Sequence, residues 1–263
     1  MSNYFVDKVV WLTGASSGIG EALAIELAAR GAKLAITARR AEILTRLSND
    51  LSAKGGAVAA LPGDVEDRSQ MHEVAQEIRA RFGKIDCLIS NAGTHRFTVP
   101  EKFDAEEYRA IMNLNFGGML NCIEAVLPEM IESKSGHIVA VASLAGYRAL
   151  PRAAAYGASK AAMIHFLDSL RFHMAEYNIP VTTVNPGFVK TPLTDKNDFS
   201  MPFLVSAADA AKTICNGVAK QKAEVAFPFL FTQILRVGRL LPASIYEPLA
   251  RMIWARCQPK SAQ

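Results

Sequence analysis

The sequence predicts a doubly wound α/β fold, in which a parallel sheet of about seven strands carries helices on both faces. Short apolar runs alternate with stretches of helical spacing over the first 190 residues, which is the order that right-handed strand–helix–strand crossovers require. The runs at 85–90 and 136–142 are almost continuously apolar, as strands covered on both faces are. A chain of 263 residues, half of them hydrophobic, can bury a large core in one domain.

Each element follows from its apolar pattern and its flanking glycines. The predicted strands are 9–13, 33–38, 58–61, 85–90, 137–142, 181–184 and 224–227. The predicted helices are 21–30, 41–54, 69–82, 105–133 and 158–177. Residues 190–203 are rich in Thr, Pro, Asp and Lys, and they predict a mobile loop.

Composition excludes several classes of function. The net charge is +4 and the pI about 8.9, but the basic residues form no run, which argues against nucleic-acid binding. The four cysteines lack a CxxC spacing and a histidine cluster, so we expect no metal site but buried or free thiols in a reducing compartment. We see no signal peptide and no apolar run long enough to span a membrane, and therefore expect a cytoplasmic protein.

A glycine-rich turn follows the first strand and leads into a helix. Residues 13–20 read TGASSGIG, where Gly14 permits the tight turn, Gly18 lets the backbone approach a pyrophosphate, and Gly20 allows helix and strand to pack closely. The helix N-terminus offers free N–H groups to phosphate. This context predicts a Rossmann-like dinucleotide site, and the residues assigned to it here are Gly14, Ser16, Ser17, Gly18, Ile19 and Gly20.

The end of the second strand indicates which dinucleotide binds. An NAD site usually carries an acidic residue there, whereas this chain has Arg39 and Arg40 and no carboxylate. A guanidinium is suited to a 2′-phosphate, so we expect NADP(H), with Arg39 as the main contact and Arg40 or Ser17 assisting. The alternative is that both arginines are solvated residues at a helix start.

Tyr156 and Lys160 form the candidate chemical centre. They are four residues apart and share a helix face, and Ser143 follows the fifth strand, where ligands of α/β sheets bind. An adjacent ammonium, together with an oxidised nicotinamide, should lower the tyrosine pKa from its usual value of about 10.

Taken in their order along the chain, these motifs resemble the single-domain branch of the short-chain dehydrogenase/reductase family over residues 8 to about 227. The matching residues are TGASSGIG at 13–20, Asp64, Val65, Asn91, Ala92, Gly93, Asn115, Ser143, Tyr156, Lys160, Pro186, Gly187 and Thr191. Taken singly, Asn91 also suits a turn, Asn115 a helix, and Ser143 a cap.

The resemblance implies a role for each matching residue. Tyr156 would be the general acid in reduction and the base in oxidation, Ser143 would polarise the substrate oxygen, and Lys160 would hold the nicotinamide ribose. Asn115 would anchor a water in a proton relay from Lys160. The remaining cofactor contacts implied are Asp64 and Val65 at adenine, Asn91, Ala92 and Gly93 at the adjoining ribose, and Pro186, Gly187, Val189 and Thr191 at the nicotinamide.

Residues 1–227 are predicted to form the single domain, and residues 228–263 a helical C-terminal extension. Pro228, Pro242 and Pro248 mark expected helix starts, and arginines interrupt the apolar residues. The extension either packs on the domain, covers the substrate cleft, makes a subunit contact, or lies peripherally on an anionic membrane surface.

The leading functional hypothesis is an NADP(H)-dependent oxidoreductase acting on a ketone, aldehyde or secondary alcohol. Phe188 is a predicted substrate contact, and with Met201, Phe203 and Leu204 it suggests a substrate with an apolar or lipid-like body. We expect a homodimer or homotetramer. The alternatives are a nucleotide-sugar epimerase or dehydratase, whose chains are usually longer, and a non-catalytic NADP-binding protein, which tends to lose the tyrosine.

Overall fold

The computed structural model describes residues 3–97 and 100–257. Nine β-strands and nine α-helices run through these residues. The strands are β1 (Val9–Thr13), β2 (Lys33–Thr37), β3 (Ala57–Ala60), β4 (Cys87–Ser90), β5 (Ile138–Val141), β6 (Val181–Pro186), β7 (Val189–Lys190), β8 (Val205–Ser206) and β9 (Glu224–Phe227). The helices are α1 (Gly18–Ala29), α2 (Ala41–Ser52), α3 (Arg68–Phe82), α4 (Ala105–Met112), α5 (Gly118–Ser133), α6 (Ala154–Ala175), α7 (Ala207–Ala219), α8 (Phe229–Leu240) and α9 (Ala243–Cys257).

Seven strands form one parallel sheet in the order β3-β2-β1-β4-β5-β6-β9. The order reverses between β1 and β4, so a crevice opens there at the carboxyl ends of the strands. This confirms the predicted doubly wound Rossmann-like fold. Each predicted strand overlaps an observed one, and the largest displacement is two residues, at the start of β4 and the end of β6.

The core lies on both faces of the sheet because successive strand side chains point to opposite sides. In β1, Trp11 joins the cluster beneath α3, α5 and α6, while Val10 and Leu12 join the cluster beneath α1, α2 and α7. All three side chains have no exposed surface. Two-sided burial explains why the strands are apolar throughout instead of alternating.

The predicted helix over 105–133 is continuous but not regular. A π-helical stretch, Asn113–Gly117, joins α4 to α5, and it places Asn115 in the interior. By length and composition, the helix over Ala105–Ser133 is apolar enough to cross a membrane, which the sequence analysis did not expect. We interpret it as a core helix because 44% of its most apolar window is buried and because it packs against α3 and α6.

Several predictions about the helices were wrong, among them the start of α1, which is Gly18 and not residue 21. Helix α6 begins at Ala154 and not at residue 158, since Gly157 is tolerated in the first turn, and the lack of a capping side chain at Ala153 leaves this start without a local signal. Helix α7 was missed, although Ser206 caps it by accepting a hydrogen bond from Asp209 N. Pro248 lies inside α9 and marks no helix start, whereas Pro228 and Pro242 immediately precede α8 and α9.

Candidate active site

A cleft of about 550 Å³ lies at the carboxyl ends of the central strands. Every residue that the sequence assigned to the cofactor lines it, together with Ser143. These residues are Gly14, Ser16, Ser17, Gly18, Ile19, Gly20, Arg39, Arg40, Asp64, Val65, Asn91, Ala92, Gly93, Tyr156, Lys160, Pro186, Gly187, Val189 and Thr191. Asn115 lies behind this lining, and Phe188 lines a second cavity next to it.

The glycine-rich turn forms a cradle that side chains would fill. Gly14 has a φ of +67°, and a Cβ there would lie 2.7 Å from the backbone of Ala92. A Cβ on Gly20 would lie 2.1 Å from the carbonyl oxygen of Gly14. Ser17 precedes α1 without capping it by a side-chain hydrogen bond, so the first N–H groups of that helix face the cleft unshielded. These features fit a pyrophosphate at the helix N-terminus.

Asn91 holds this turn in place. Its side-chain amide donates to the carbonyl oxygens of Thr13 and Gly14, at 3.1 and 3.2 Å. The Thr13 hydroxyl accepts in return from the backbone N–H groups of Asn91 and Ala92. The turn-forming interpretation of Asn91 therefore accounts for its side chain, while its position in the cleft keeps it beside the expected ribose.

The two arginines after β2 occupy different places in the cleft. Arg40 reaches the glycine-rich turn, where its guanidinium donates to the Ser16 hydroxyl at 2.9 Å and to the Ser16 carbonyl at 3.1 Å. Arg39 forms an ion pair with Asp64, with 3.6 Å between Nη1 of Arg39 and Oδ2 of Asp64. This corner of the cleft therefore carries two guanidiniums against one carboxylate, which favours an anionic group.

The candidate catalytic side chains lie together in the cleft lining; they are Ser143, Tyr156 and Lys160. Tyr156 and Lys160 lie on the first turns of α6, and the Lys160 ammonium is 5.7 Å from the centre of the Tyr156 ring. Its Nζ donates to the Val141 carbonyl at 2.8 Å. Ser143 accepts from Ala145 N at 3.1 Å and caps a short helix, while its own O–H donates to the Pro186 carbonyl over 3.5 Å, a long contact that a ligand oxygen can replace.

Burial is the main cause of the shifted pKa values of Lys160 and Tyr156. It lowers the pKa of Lys160 to about 7, and it raises that of Tyr156, with a hydrogen bond to Ser143 acting in the opposite direction. The expectation that Lys160, together with an oxidised nicotinamide, lowers the tyrosine pKa stays a prediction. A protonated Tyr156 at neutral pH suits a proton donor.

Asn115 lies behind Tyr156 and Lys160 and is linked by hydrogen bonds to the turn of α6 that carries Tyr156. Its side chain has no exposed surface, donates to the Thr94 carbonyl and to the Ser159 hydroxyl, and accepts from Thr94 N at 2.8 Å. Ser159 in turn donates to the Tyr156 carbonyl at 2.8 Å. The Asn115 side chain thus ties the loop after β4 to the turn of α6 that carries the tyrosine. Its role in a water relay stays a prediction.

A second cavity of about 730 Å³ adjoins the cleft, and we call it the apolar chamber. Ser143 and Tyr156 line both spaces and so lie at their junction. Phenylalanines form much of its wall. Phe188 stacks on Phe231 with ring centres 5.6 Å apart, and Phe199 lies against Phe188 at 5.9 Å.

The C-terminal extension closes one side of the apolar chamber. Its residues Phe231, Leu235, Tyr246 and Leu249 are among those that line it. The Tyr246 hydroxyl donates to the Ala149 carbonyl at 2.7 Å, so α9 is fastened beside the segment that follows Ser143. The described part of the extension therefore packs on the domain and covers the apolar chamber.

His95 is a site residue that the sequence analysis missed. It lines the apolar chamber with its ring 4.7 Å from the Tyr156 ring, and burial lowers its pKa. Its buried Nδ1 has no hydrogen-bond partner among the described residues. The only available signal was its position, two residues after Gly93 at the carboxyl end of β4.

Comparisons with known proteins agree with this geometry. The family model for short chain dehydrogenases matches residues 8–200. An uncharacterized oxidoreductase of Myxococcus xanthus is 38% identical over 246 residues, which cover 94% of this chain and 97% of the relative. An 11-beta-hydroxysteroid dehydrogenase-like protein of Arabidopsis thaliana is 38% identical over 84% of this chain and 76% of its own.

Two solved structures share the fold. A short chain dehydrogenase/reductase from Burkholderia phymatum, in complex with NAD, superposes with a TM-score of 0.82 at 24% identity, covering 89% of this chain and 93% of the other. A variant of actinorhodin polyketide ketoreductase with NADPH gives a TM-score of 0.76 at 26% identity, covering 86% and 97%.

Proposed function

The chain belongs to the short-chain dehydrogenase/reductase family of oxidoreductases, and from that premise we propose an NADP(H)-dependent enzyme acting on an apolar ketone, aldehyde or secondary alcohol. The observation that carries the proposal is the position of Ser143 and Tyr156. Both side chains line the cofactor cleft and the apolar chamber, so a substrate oxygen beside them lies between the two spaces.

In this proposal Ser143, Tyr156 and Lys160 have distinct roles. Ser143 donates its O–H to the substrate oxygen and fixes its position. Tyr156 gives its phenolic proton to that oxygen during reduction and takes it back during oxidation. The nicotinamide, when bound, supplies or accepts the hydride. Lys160 is held by the Val141 carbonyl and lies beside the space that Gly93 leaves open, where it can donate to a ribose hydroxyl.

The choice of NADP(H) rests on the corner formed by Arg39, Arg40 and Ser16. Arg40 is already held by the Ser16 hydroxyl, and Arg39 offsets the charge of Asp64. A 2′-phosphate would meet two planar donors there, and each charge-assisted contact would be stronger than a neutral hydrogen bond. Both arginines contribute to this proposed contact, and the guanidinium of Arg40 is already hydrogen-bonded to the glycine-rich turn.

The choice of an apolar substrate rests on the chamber. Its wall is largely aromatic and aliphatic, with His95 as a polar side chain near Tyr156. A ring system or long chain next to the carbonyl would bury apolar surface against Phe188 and Phe231, at about 25 cal/mol per Å². A nucleotide sugar would lose its hydrogen bonds to water there, which argues against the epimerase alternative.

A fluorescence titration with NADPH and NADH side by side tests the cofactor half of the proposal. We expect clear preference for NADPH, and equal or stronger binding of NADH would contradict the role of the arginines. Turnover of matched carbonyls, one small and water-soluble and one with a bulky apolar body, tests the other half. Cofactor binding with no turnover of any carbonyl would support the non-catalytic alternative instead.

A further inference from the structure

The C-terminal helices concentrate exposed apolar side chains. Among the residues that the structure describes, fifteen large hydrophobic side chains are exposed, and nine of them lie between 229 and 253. Isolated exposed apolar residues are ordinary, but a group on two adjoining helices marks an interaction surface. The nine residues are Phe229, Leu230, Ile234, Val237, Leu240, Ile245, Leu249, Met252 and Ile253.

Helix α8 is apolar on the side that faces away from the protein. At 100° per residue its buried side consists of Thr232, Leu235 and Gly238, which pack inward. The opposite side, here called the outer face of α8, consists of the exposed residues Phe229, Leu230, Ile234, Val237 and Leu240. Phe229 is 77% exposed and Leu240 is 83% exposed, so neither contributes to packing within the chain. A surface helix normally carries polar residues on this side.

The outer face is continuous with the apolar chamber. Ile234 and Val237 of α8, and Leu249 and Ile253 of α9, are exposed and also line the chamber. The chamber therefore opens at the apolar surface, and a ligand entering there meets hydrocarbon at both ends of its path.

The charges around this surface are mainly positive. Between residues 229 and 253 there are three arginines and a single acidic residue, Glu247. Arg236 is paired with Glu224, whereas Arg239 is exposed and Arg251 lies 4.0 Å from Glu247 with most of its side chain in solvent. Arginine beside exposed Phe, Leu and Ile is the composition that favours the interface of an anionic bilayer.

We propose that the outer face of α8, with the adjoining apolar residues of α9, docks on the surface of an anionic lipid bilayer. Phe229, Leu230 and Leu240 insert among the acyl chains. Arg239, which is exposed at the edge of α8 beyond the outer face, and Arg251 reach the headgroups through their long side chains. The chamber then opens toward the bilayer, so that an apolar carbonyl reaches Tyr156 without crossing water. This last step rests on the proposed function, whereas the docking itself does not.

Sedimentation with vesicles tests the docking without cofactor or substrate. The full chain is mixed with vesicles of phosphatidylcholine, and with vesicles that also hold about 30 mol % phosphatidylserine. We expect binding to the second kind. The double substitution Phe229→Ser/Leu240→Ser should lower the partition coefficient on the order of 100-fold, because two large apolar side chains leave the bilayer.

A matched control is available elsewhere on the surface. Phe103 and Phe172 are 66% and 79% exposed but lie before α4 and on α6, so Phe103→Ser/Phe172→Ser should leave vesicle binding unchanged. Arg239→Gln/Arg251→Gln should weaken binding to the anionic vesicles by about fivefold per residue and leave the neutral ones unaffected. Circular dichroism and NADPH titration verify that each variant is folded.

The outcomes separate the possible occupants of this face. Failure of the wild-type chain to sediment with anionic vesicles would overturn the proposal, and so would equal losses in the two double-serine variants. If the wild type is a dimer that Phe229→Ser/Leu240→Ser dissociates, with no vesicle binding by either, the face is a contact between copies of this chain. A lack of NADPH binding or turnover, with vesicle binding intact, would refute the proposed function alone.

Discussion

Replacing Lys160 by methionine should stabilise the fold while it removes activity. Lys160 is 4% exposed, and its Nζ contacts the Val141 carbonyl at 2.8 Å and Met163 Sδ at 3.5 Å. None of the ion pairs among the described residues involves Lys160. Methionine has nearly the same length, is apolar, and suits this buried position.

The magnitude follows from the pKa of Lys160. Burial lowers it from 10.5 to about 7, which corresponds to about 5 kcal/mol of destabilisation at pH values well below 7. The substitution also removes a donor from the Val141 carbonyl, at a cost of about 1–3 kcal/mol. The methionine variant should therefore be more stable than the wild type by about 2–4 kcal/mol near pH 6.

The sign of the pH dependence is fixed by the direction of the shift. Between about pH 7 and pH 10.5 the unfolded chain holds a proton on Lys160 that the folded chain has released, so the stability of the wild type rises with pH. The advantage of Lys160→Met should accordingly fall by about 2–3 kcal/mol between pH 6 and pH 9.

Urea unfolding of both proteins at pH 6, 7, 8 and 9, at one protein concentration, measures this difference while other titrating groups cancel. An advantage that stays constant over this range would refute the reasoning, since it would mean that Lys160 keeps its charge in the folded protein. NADPH binding and turnover measured on the same samples show what the buried ammonium contributes to function.

Four further results are expected. Tyr156→Phe should abolish turnover but leave NADPH binding nearly unchanged, and retained turnover would refute its role as proton donor. Because burial raises the Tyr156 pKa, carbonyl reduction should be flat through neutral pH and alcohol oxidation should rise with pH; the opposite profiles would contradict this. Arg39→Asp should weaken NADPH at least tenfold more than NADH by titration, and equal effects would place the 2′-phosphate elsewhere. Gly20→Ala should abolish cofactor binding in the same titration, because its Cβ would meet the Gly14 carbonyl at 2.1 Å, whereas a Cβ on Gly117 meets nothing within 4 Å and Gly117→Ala serves as control.

Local sequence patterns were enough to predict the sheet. A strand buried on both faces must be apolar throughout, and the glycine-rich turn must place glycine wherever a Cβ would collide with backbone. Such requirements act on single residues and leave a visible pattern, so β1 to β6 and the cofactor cleft could be assigned before the structure was known.

Helix α7, the start of α6 and the position of His95 have weaker signals in the sequence or none. Helix α7 has a capping residue, Ser206, but its buried side consists mostly of small residues, which give a weaker helical pattern than Leu or Ile. The start of α6 has no such signal, because Ala153 offers no cap. His95 came into the site only through the packing of the loop after β4 against Tyr156, which no local pattern records.

The sequence alone determined the fold class, the family and the residues of the cofactor cleft, because these depend on periodicity and on motifs confined to short segments. Only the tertiary structure showed that α8 and α9 close the apolar chamber and leave the outer face of α8 exposed, since amphipathic spacing does not reveal which side of a helix meets the protein. It also determined the pKa directions of Tyr156 and Lys160, because desolvation depends on neighbours that are distant in the chain.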